Sequence, residues 1–366
     1  MESRQTINER LIGWLEDRVR SRYAGCVSLV LLYGSYVNGT ANELSDVDCC
    51  YVPAEEFPES AADGLSADFI LAGVGYDFYP LSWERLEKIA ELEGGLAPCL
   101  GDATVLCCRS DADLRRFEAL QEKLKSNLAD PETAHRAAAA RFSHACGQFA
   151  RMKTCSSLGE MRKSAGLLLM TLAEGCAYFH GDYFHFGVKK QYEDLCTRFP
   201  GLPDEIPAEY AAVALSHTAE ELLGHAEKLL CAVGEHLSQP IVIPEITEPE
   251  EPAQNQPDYE GLAALYEEIS STFQKIYRCC GVSICGSETD PILAFLSACV
   301  LQDDLEYGMT IGAPACDLLG EWNPDDLAGF AAHGKAVEGR LVCAIEDGGA
   351  KIRKYATWEE FLAAGV

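Results

Sequence analysis

The sequence predicts a mixed α/β domain built on a small mixed sheet, followed by an all-α helical bundle and a further, mostly helical C-terminal segment. Three observations lead there. Four short apolar runs of strand length all fall before residue 110. From Pro131 onward the pattern changes to long stretches of helical period. The stretch QPIVIPEITEPEEPAQNQPDY, residues 239–259, carries five prolines and five acidic residues and reads as an extended linker. The implied organisation is a mixed domain over 1–115, a bundle over 116–238, a linker over 239–258 and a C-terminal domain over 259–366; at 366 residues the chain can bury two or three cores.

Taken in order, residues 6–22 form an amphipathic helix. SLVLLY, Ser28 to Tyr33, is a near-continuous apolar run, the mark of a strand covered on both faces. Asp46 to Val52 is a second strand. YDFYPL, Tyr76 to Leu81, is a third, where Pro80 marks an edge or an end. TVLCCR, Thr104 to Arg109, is the fourth, and the helix DADLRRFEALQEKLK follows it. Helices are then expected from Glu132 to Cys155, from Leu158 to His180 with Gly181 as terminator, and twice between Ala208 and Leu237. Beyond the linker, helices are expected at Tyr259–Cys280, Asp290–Tyr307 and Pro324–Gly334. RLVCAIEDGGAKIRKY reads as a hairpin turning at Asp347-Gly348, and Thr357-x-x-Glu360 has the spacing of a capping box.

Charge narrows the function. With 29 Lys plus Arg against 58 Asp plus Glu, the net charge of -29 opposes binding to nucleic acid or to an anionic membrane face, and favours a cationic small molecule. No run reaches the roughly 20 uncharged apolar residues of a membrane span; Ala165 to Phe179 is short and contains Glu174. The N-terminus MESRQTINERLIGWLEDRV is a charged amphipathic pattern, which points to a reduced, cytoplasmic chain. The 17 cysteines lie mostly beside apolar runs and read as small buried hydrophobes; Cys279, Cys280 and Cys285 have no nearby His to complete a zinc site.

The stretch LVLLYGSYVNGTANELSDVDCCYV, Leu29 to Val52, carries the chemistry. In a strand, residues two apart share a face, so Asp46 and Asp48 would project together while Val47 enters the core. Two such carboxylates repel unless a cation lies between them. Mg²⁺ is held by one or two protein carboxylates together with substrate phosphates. Gly34 and Ser35 directly follow the first strand, where a glycine admits a phosphate to the backbone amides and a serine adds a hydroxyl donor.

The segment Gly34-Ser35-x-x-x-Gly39-Thr40-x-x-x-x-Ser45-Asp46-x-Asp48 resembles the signature of the polymerase-β-type nucleotidyltransferase superfamily, in particular its bacterial aminoglycoside (kanamycin-type) branch. The resemblance implies that Gly34 and Ser35 contact triphosphate, that Asp46 and Asp48 hold Mg²⁺, two ions in all, and that a third carboxylate stands on a neighbouring strand. Asp77, an acid among aromatic residues in GYDFYPLSWE, is the best candidate for it, and Asp68 the second. The implied reaction moves a nucleoside monophosphate, AMP from ATP in this reading, to a hydroxyl of a small cationic acceptor such as an aminoglycoside, releasing pyrophosphate. In the kanamycin branch a helical domain adds an acidic base and a lysine near the phosphates; Glu174 and Lys189, with Lys190 beside it, are the counterparts available here. The base is Asp77 or Glu174. His180, Asp182 and His185 in FHGDYFHF read as an aromatic-rich helix-ending turn rather than a metal cluster. AMP transfer to a protein hydroxyl and a non-catalytic nucleotide-binding scaffold are the rival readings. The segment 259–366, with GEWNPDDLAGF, suits a packing module or a homodimer contact.

Overall fold

The computed structural model describes residues 3–41, 45–56, 64–246, 256–282 and 289–365. Helix α1 (Arg4–Arg18) is capped by the Ser3 side chain and buries Ile7, Leu11 and Leu15, one residue per turn. Strand β1 (Val27–Tyr33) is buried nearly throughout and runs into the single turn α2 (Gly34–Val37). Strands β2 (Asp48–Pro53), β3 (Ala67–Leu71) and β4 (Val74–Pro80) follow, then α3 (Trp83–Ala90), α4 (Pro98–Gly101), β5 (Thr104–Cys108) and α5 (Asp111–Ala129). Pro80 ends β4, where its missing amide costs no ladder bond.

Helices α6 (Pro131–Met152), α7 (Leu158–Phe179), α8 (Gln191–Thr197), α9 (Glu205–Ala214) and α10 (Ala219–Leu237) come next, then α11 (Tyr259–Cys279), α12 (Pro291–Thr310) and α13 (Leu327–Asp347). Residues 240–246 and 256–257 carry no regular structure, and the middle of that stretch lies outside the described residues; the helices before and after it fall in one compact unit. The hairpin expected around Asp347-Gly348 is absent. Phe330, Gly334, Val337, Leu341 and Ile345 are buried at helical spacing, so α13 runs through to Asp347 and Gly348 is its C-cap. After it come β6 (Lys354–Tyr355) and α14 (Trp358–Ala364). Thr357 caps α14 by accepting from the Glu360 amide, and Glu360 reaches back to the Ala356 amide at 2.7 Å.

The chain divides into two compact units. One comprises residues 1–133, 185–187 and 353–366, and the other 134–184 and 188–352. A boundary at 115 would cut α5, whose buried stripe of Phe117, Leu120, Leu124 and Leu128 keeps the whole helix in one piece. Residues 353–365 likewise leave the C-terminal segment and join the sheet.

That sheet has six strands in the order β5-β1-β2-β4-β3-β6. β1 is antiparallel to β2 and β5, β2 parallel to β4, β4 antiparallel to β3, and β3 parallel to β6. One face packs against α1: Val30, Leu32, Cys49, Tyr51, Phe69, Phe78 and Phe361 of α14 form a single buried cluster with Ile7, Leu11 and Leu15. In the second unit, α11 packs with α12 and α13, α12 with α7, and α9 with α10. Among the described residues no helix is long and apolar enough to cross a membrane.

Candidate active site

The site lies where β1 ends. Leaving the buried strand, the chain turns through Gly34 at φ +72°, a left-handed conformation that side chains resist. Space imposes a second requirement. A Cβ at Gly34 would fall 1.9 Å from the Asp48 Oδ2, so this carboxylate lies directly against the glycine backbone. The Asn38 amide donates to the Gly34 carbonyl at 3.1 Å and the Thr40 amide to the Ser35 carbonyl at 3.0 Å, which closes the turn. Ser35 is buried at 6 % exposure, and its Oγ has no hydrogen-bond partner. An unmet buried hydroxyl is costly, and it stands in the turn where an anionic ligand would use it.

The register builds the acidic part. Asp48 stands opposite Tyr33 in the β1–β2 ladder. Cys49 pairs with Phe78 between β2 and β4, so the preceding residues, Asp48 and Asp77, are neighbours on adjacent strands. Asp77 in turn pairs with Asp68 on β3. Tyr33, Asp48, Asp77 and Asp68 thus form one row across four strands, on the face opposite α1. Like charges opposed in a sheet are unfavourable. Burial raises the Asp68 carboxyl above the usual range, and the Arg353 guanidinium from the returning segment offsets part of that rise. Burial also lifts the Cys99 thiol to about 11, with Asp48 and Asp77 adding to the rise. On the same face the Tyr33 and Tyr79 hydroxyls meet at 2.6 Å, and the Cys99 Sγ lies 3.9 Å from the Tyr79 hydroxyl.

Asp46 lies just outside the strand in which it was expected. β2 begins at Asp48, so Asp46 lies on the approach to the strand rather than within it, and Asp46 and Asp48 are both half-buried on either side of the buried Val47. Val47 does enter the core. Among the described residues no three His, Cys, Asp or Glu side chains are gathered as a ready-made metal site. The donor set nevertheless suits a divalent cation that arrives with a triphosphate: two carboxylates on neighbouring strands, a third two residues upstream, and an unmet hydroxyl in the adjoining turn.

Glu174 and Lys189 belong to the helical unit. Glu174 pairs with Arg141 on α6 at 3.3 Å, and burial raises its carboxyl while Arg141 lowers it. Lys189 is exposed in a short 3-10 turn, and Lys190 lies 3.8 Å from Glu193. The three polar residues of FHGDYFHF do not converge. His180 Nε2 faces His236 Nε2 at 3.1 Å, Asp182 pairs with Arg198 at 2.5 Å, and His185 Nδ1 lies 2.8 Å from both Asp102 oxygens. Eight of the sixteen described cysteines are buried, but Cys108, Cys196, Cys231 and Cys343 are exposed, because the apolar runs beside them turn only one face to the core; Cys285 lies outside the described residues.

Two features of the site escaped the sequence: β3, which sets Asp68 beside Asp77, and the Asp102–His185 pair, formed between residues 83 positions apart. The short alternation in ADFIL was the available signal for the first. No spacing signals the second.

Residues 12–124 match the model of the nucleotidyltransferase domain family, so the N-terminal unit is a nucleotidyltransferase domain and the chain a transferase. Domains of this family work on a nucleoside triphosphate with a divalent metal ion. A search among curated proteins finds no match. A solved structure, a nucleotidyltransferase-like protein from Exiguobacterium sibiricum 255-15, is similar at 12% identity over 82% of this chain and 92% of that one, with a TM-score of 0.36.

Proposed function

We propose that the protein transfers a nucleoside monophosphate, AMP from ATP, to a hydroxyl of a small cationic acceptor such as an aminoglycoside, with release of pyrophosphate. The observation that carries this reading is the buried, partnerless Ser35 hydroxyl in a turn whose glycine backbone touches the Asp48 carboxylate. In the proposal the Ser35 hydroxyl and the turn amides hold the triphosphate, and Gly34 lets it come close to the chain. Asp48 and Asp77, with Asp46 on the approach, hold Mg²⁺, two ions in our reading. The metal supplies charge neutralisation on the triphosphate and a lowered pKa for the attacking hydroxyl. Asp77, beside Asp48 on the next strand, takes the acceptor proton; Glu174 as the alternative base and Lys189 as a phosphate ligand are the counterparts that the resemblance to the kanamycin branch suggests.

The net charge of -29 supports a cationic acceptor over a nucleic acid or membrane partner. The test is pyrophosphate release with Mg²⁺ and each of the four ribonucleoside triphosphates, with and without a panel of aminoglycosides and other polyhydroxyl amines. Acceptor-dependent release that Asp48→Ala abolishes establishes the reaction and its donor. Release that is indifferent to every acceptor, or equal in the variant, refutes it.

A further inference from the structure

The segment 185–187 follows α7 in the chain, yet it belongs to the N-terminal unit. Its bonds to that unit include two that involve His185. The His185 Nδ1 lies 2.8 Å from both oxygens of Asp102, and the His185 carbonyl accepts from the Asn38 side-chain amide at 3.2 Å. Asn38 is the residue whose backbone amide closes the Gly34 turn. Asp102 follows α4, whose Cys99 lies against Tyr79, which bonds to Tyr33, the strand partner of Asp48. The chain of contacts therefore runs from the acidic row through α4 and Asp102 to His185, and through Asn38 back to Gly34 and Ser35.

We propose that His185, held by Asp102, is a positioning residue that fixes the triphosphate turn, and this rests on the nucleotide reading of that turn. The ring bond anchors the segment so that its carbonyl stands where Asn38 can reach it. Asn38 then has a partner outside the turn, and the turn keeps the one conformation in which Ser35 Oγ is presented inward. Preorganising a binding loop raises affinity because the ligand no longer has to order it. No step of the chemistry passes through His185.

The experiment compares the full-length wild type with His185→Ala, Asp102→Ala and the conservative His185→Asn, whose side-chain amide can still donate to Asp102. Hydrogen exchange is read in the ligand-free proteins, MgATP binding by calorimetry, and melting temperature in parallel. The expected result is exchange at residues 34–40 about tenfold faster in both alanine variants, and MgATP binding about tenfold weaker, the factor that corresponds to the loss of about 1.4 kcal/mol. His185→Asn recovers both, and melting temperatures stay together. Unchanged exchange at 34–40, or a rise spread over the whole unit with a fall in melting temperature, overturns the proposal. Equal MgATP affinity in all four proteins overturns the role of His185 alone. A wild type that binds no MgATP overturns the nucleotide reading itself.

Discussion

Two adjacent rows of the same sheet differ by one residue in register and by everything in chemistry. Leu32, Cys49, Phe78 and Ala67 run across β1, β2, β4 and β3 into the core against α1. One position along each strand, Tyr33, Asp48, Asp77 and Asp68 cross the same four strands on the opposite face. The period of two separates them completely. The apolar row supplies the rigidity, and the acidic row uses it to hold carboxylates at strand spacing that would part if they were free to move. Stability and chemistry are therefore separable by substitution, and five substitutions test this.

The largest effect is expected in the acidic row. Asp48→Ala should lower turnover about ten-thousandfold, the scale on which single catalytic side chains count. Its melting temperature should hold or rise, since one of two neighbouring like charges is gone. A marked fall in melting temperature would break the comparison. Phe78→Ala, one position away, should behave in the opposite way, costing about 3–5 kcal/mol of stability by leaving a cavity under α1. Denaturant unfolding checks it. Gly34→Ala should cost about 1–3 kcal/mol, because the methyl group meets the Asp48 carboxylate and the positive φ is strained. It should weaken triphosphate binding as well, measured by calorimetry.

Asp68 sharpens the picture through pH. Its carboxyl is raised in the folded protein, so the folded state holds the proton more tightly than the unfolded chain. Stability therefore falls as pH rises from the ordinary carboxylate range through the raised value, and the deficit persists above it. Asp68→Asn should be more stable than the wild type at neutral pH by under about 1 kcal/mol, a figure discounted for partial exposure. The gain should vanish at acid pH; a gain that is constant with pH would show that charge is not its cause. The smallest stability effect is expected at Ser35. Ser35→Ala removes an unmet buried hydroxyl, so the melting temperature should be unchanged or slightly higher, while triphosphate binding weakens about fivefold, within the worth of one hydrogen bond to a charged group.

What could be read from the sequence was local. Gly34, Ser35 and Asp48 lie within 15 residues on a strand, a turn and a strand, and composition and period suffice to place them. Asp77 was reachable because an acid among aromatic residues needs a reason to be there. The start of β2 was read two residues early, at Asp46 instead of Asp48, an uncertainty that element ends always carry. The α13 error has a different cause. Asp347-Gly348 carries a hairpin signal, and the helical burial of Phe330, Val337, Leu341 and Ile345 outweighs it. The His185–Asp102 bond and the pairing of β6 with β3 join residues that only the folded chain brings together, and no local pattern encodes them.

That last pairing bears on how the protein is made. The Ile70 amide of β3 and the Ala72 amide just after it donate to carbonyls of Arg353 and Tyr355, and Phe361 completes the cluster under the sheet. A ribosome synthesising this chain emits β3 some 280 residues before its partner. For that interval the nascent domain exposes an open strand edge and an unfilled aromatic socket, the kind of surface that recruits chaperones and invites mispairing. A stop codon or a frameshift anywhere in the helical unit would yield a chain with Asp46, Asp48 and Asp77 present and the β3 edge of its sheet left uncovered.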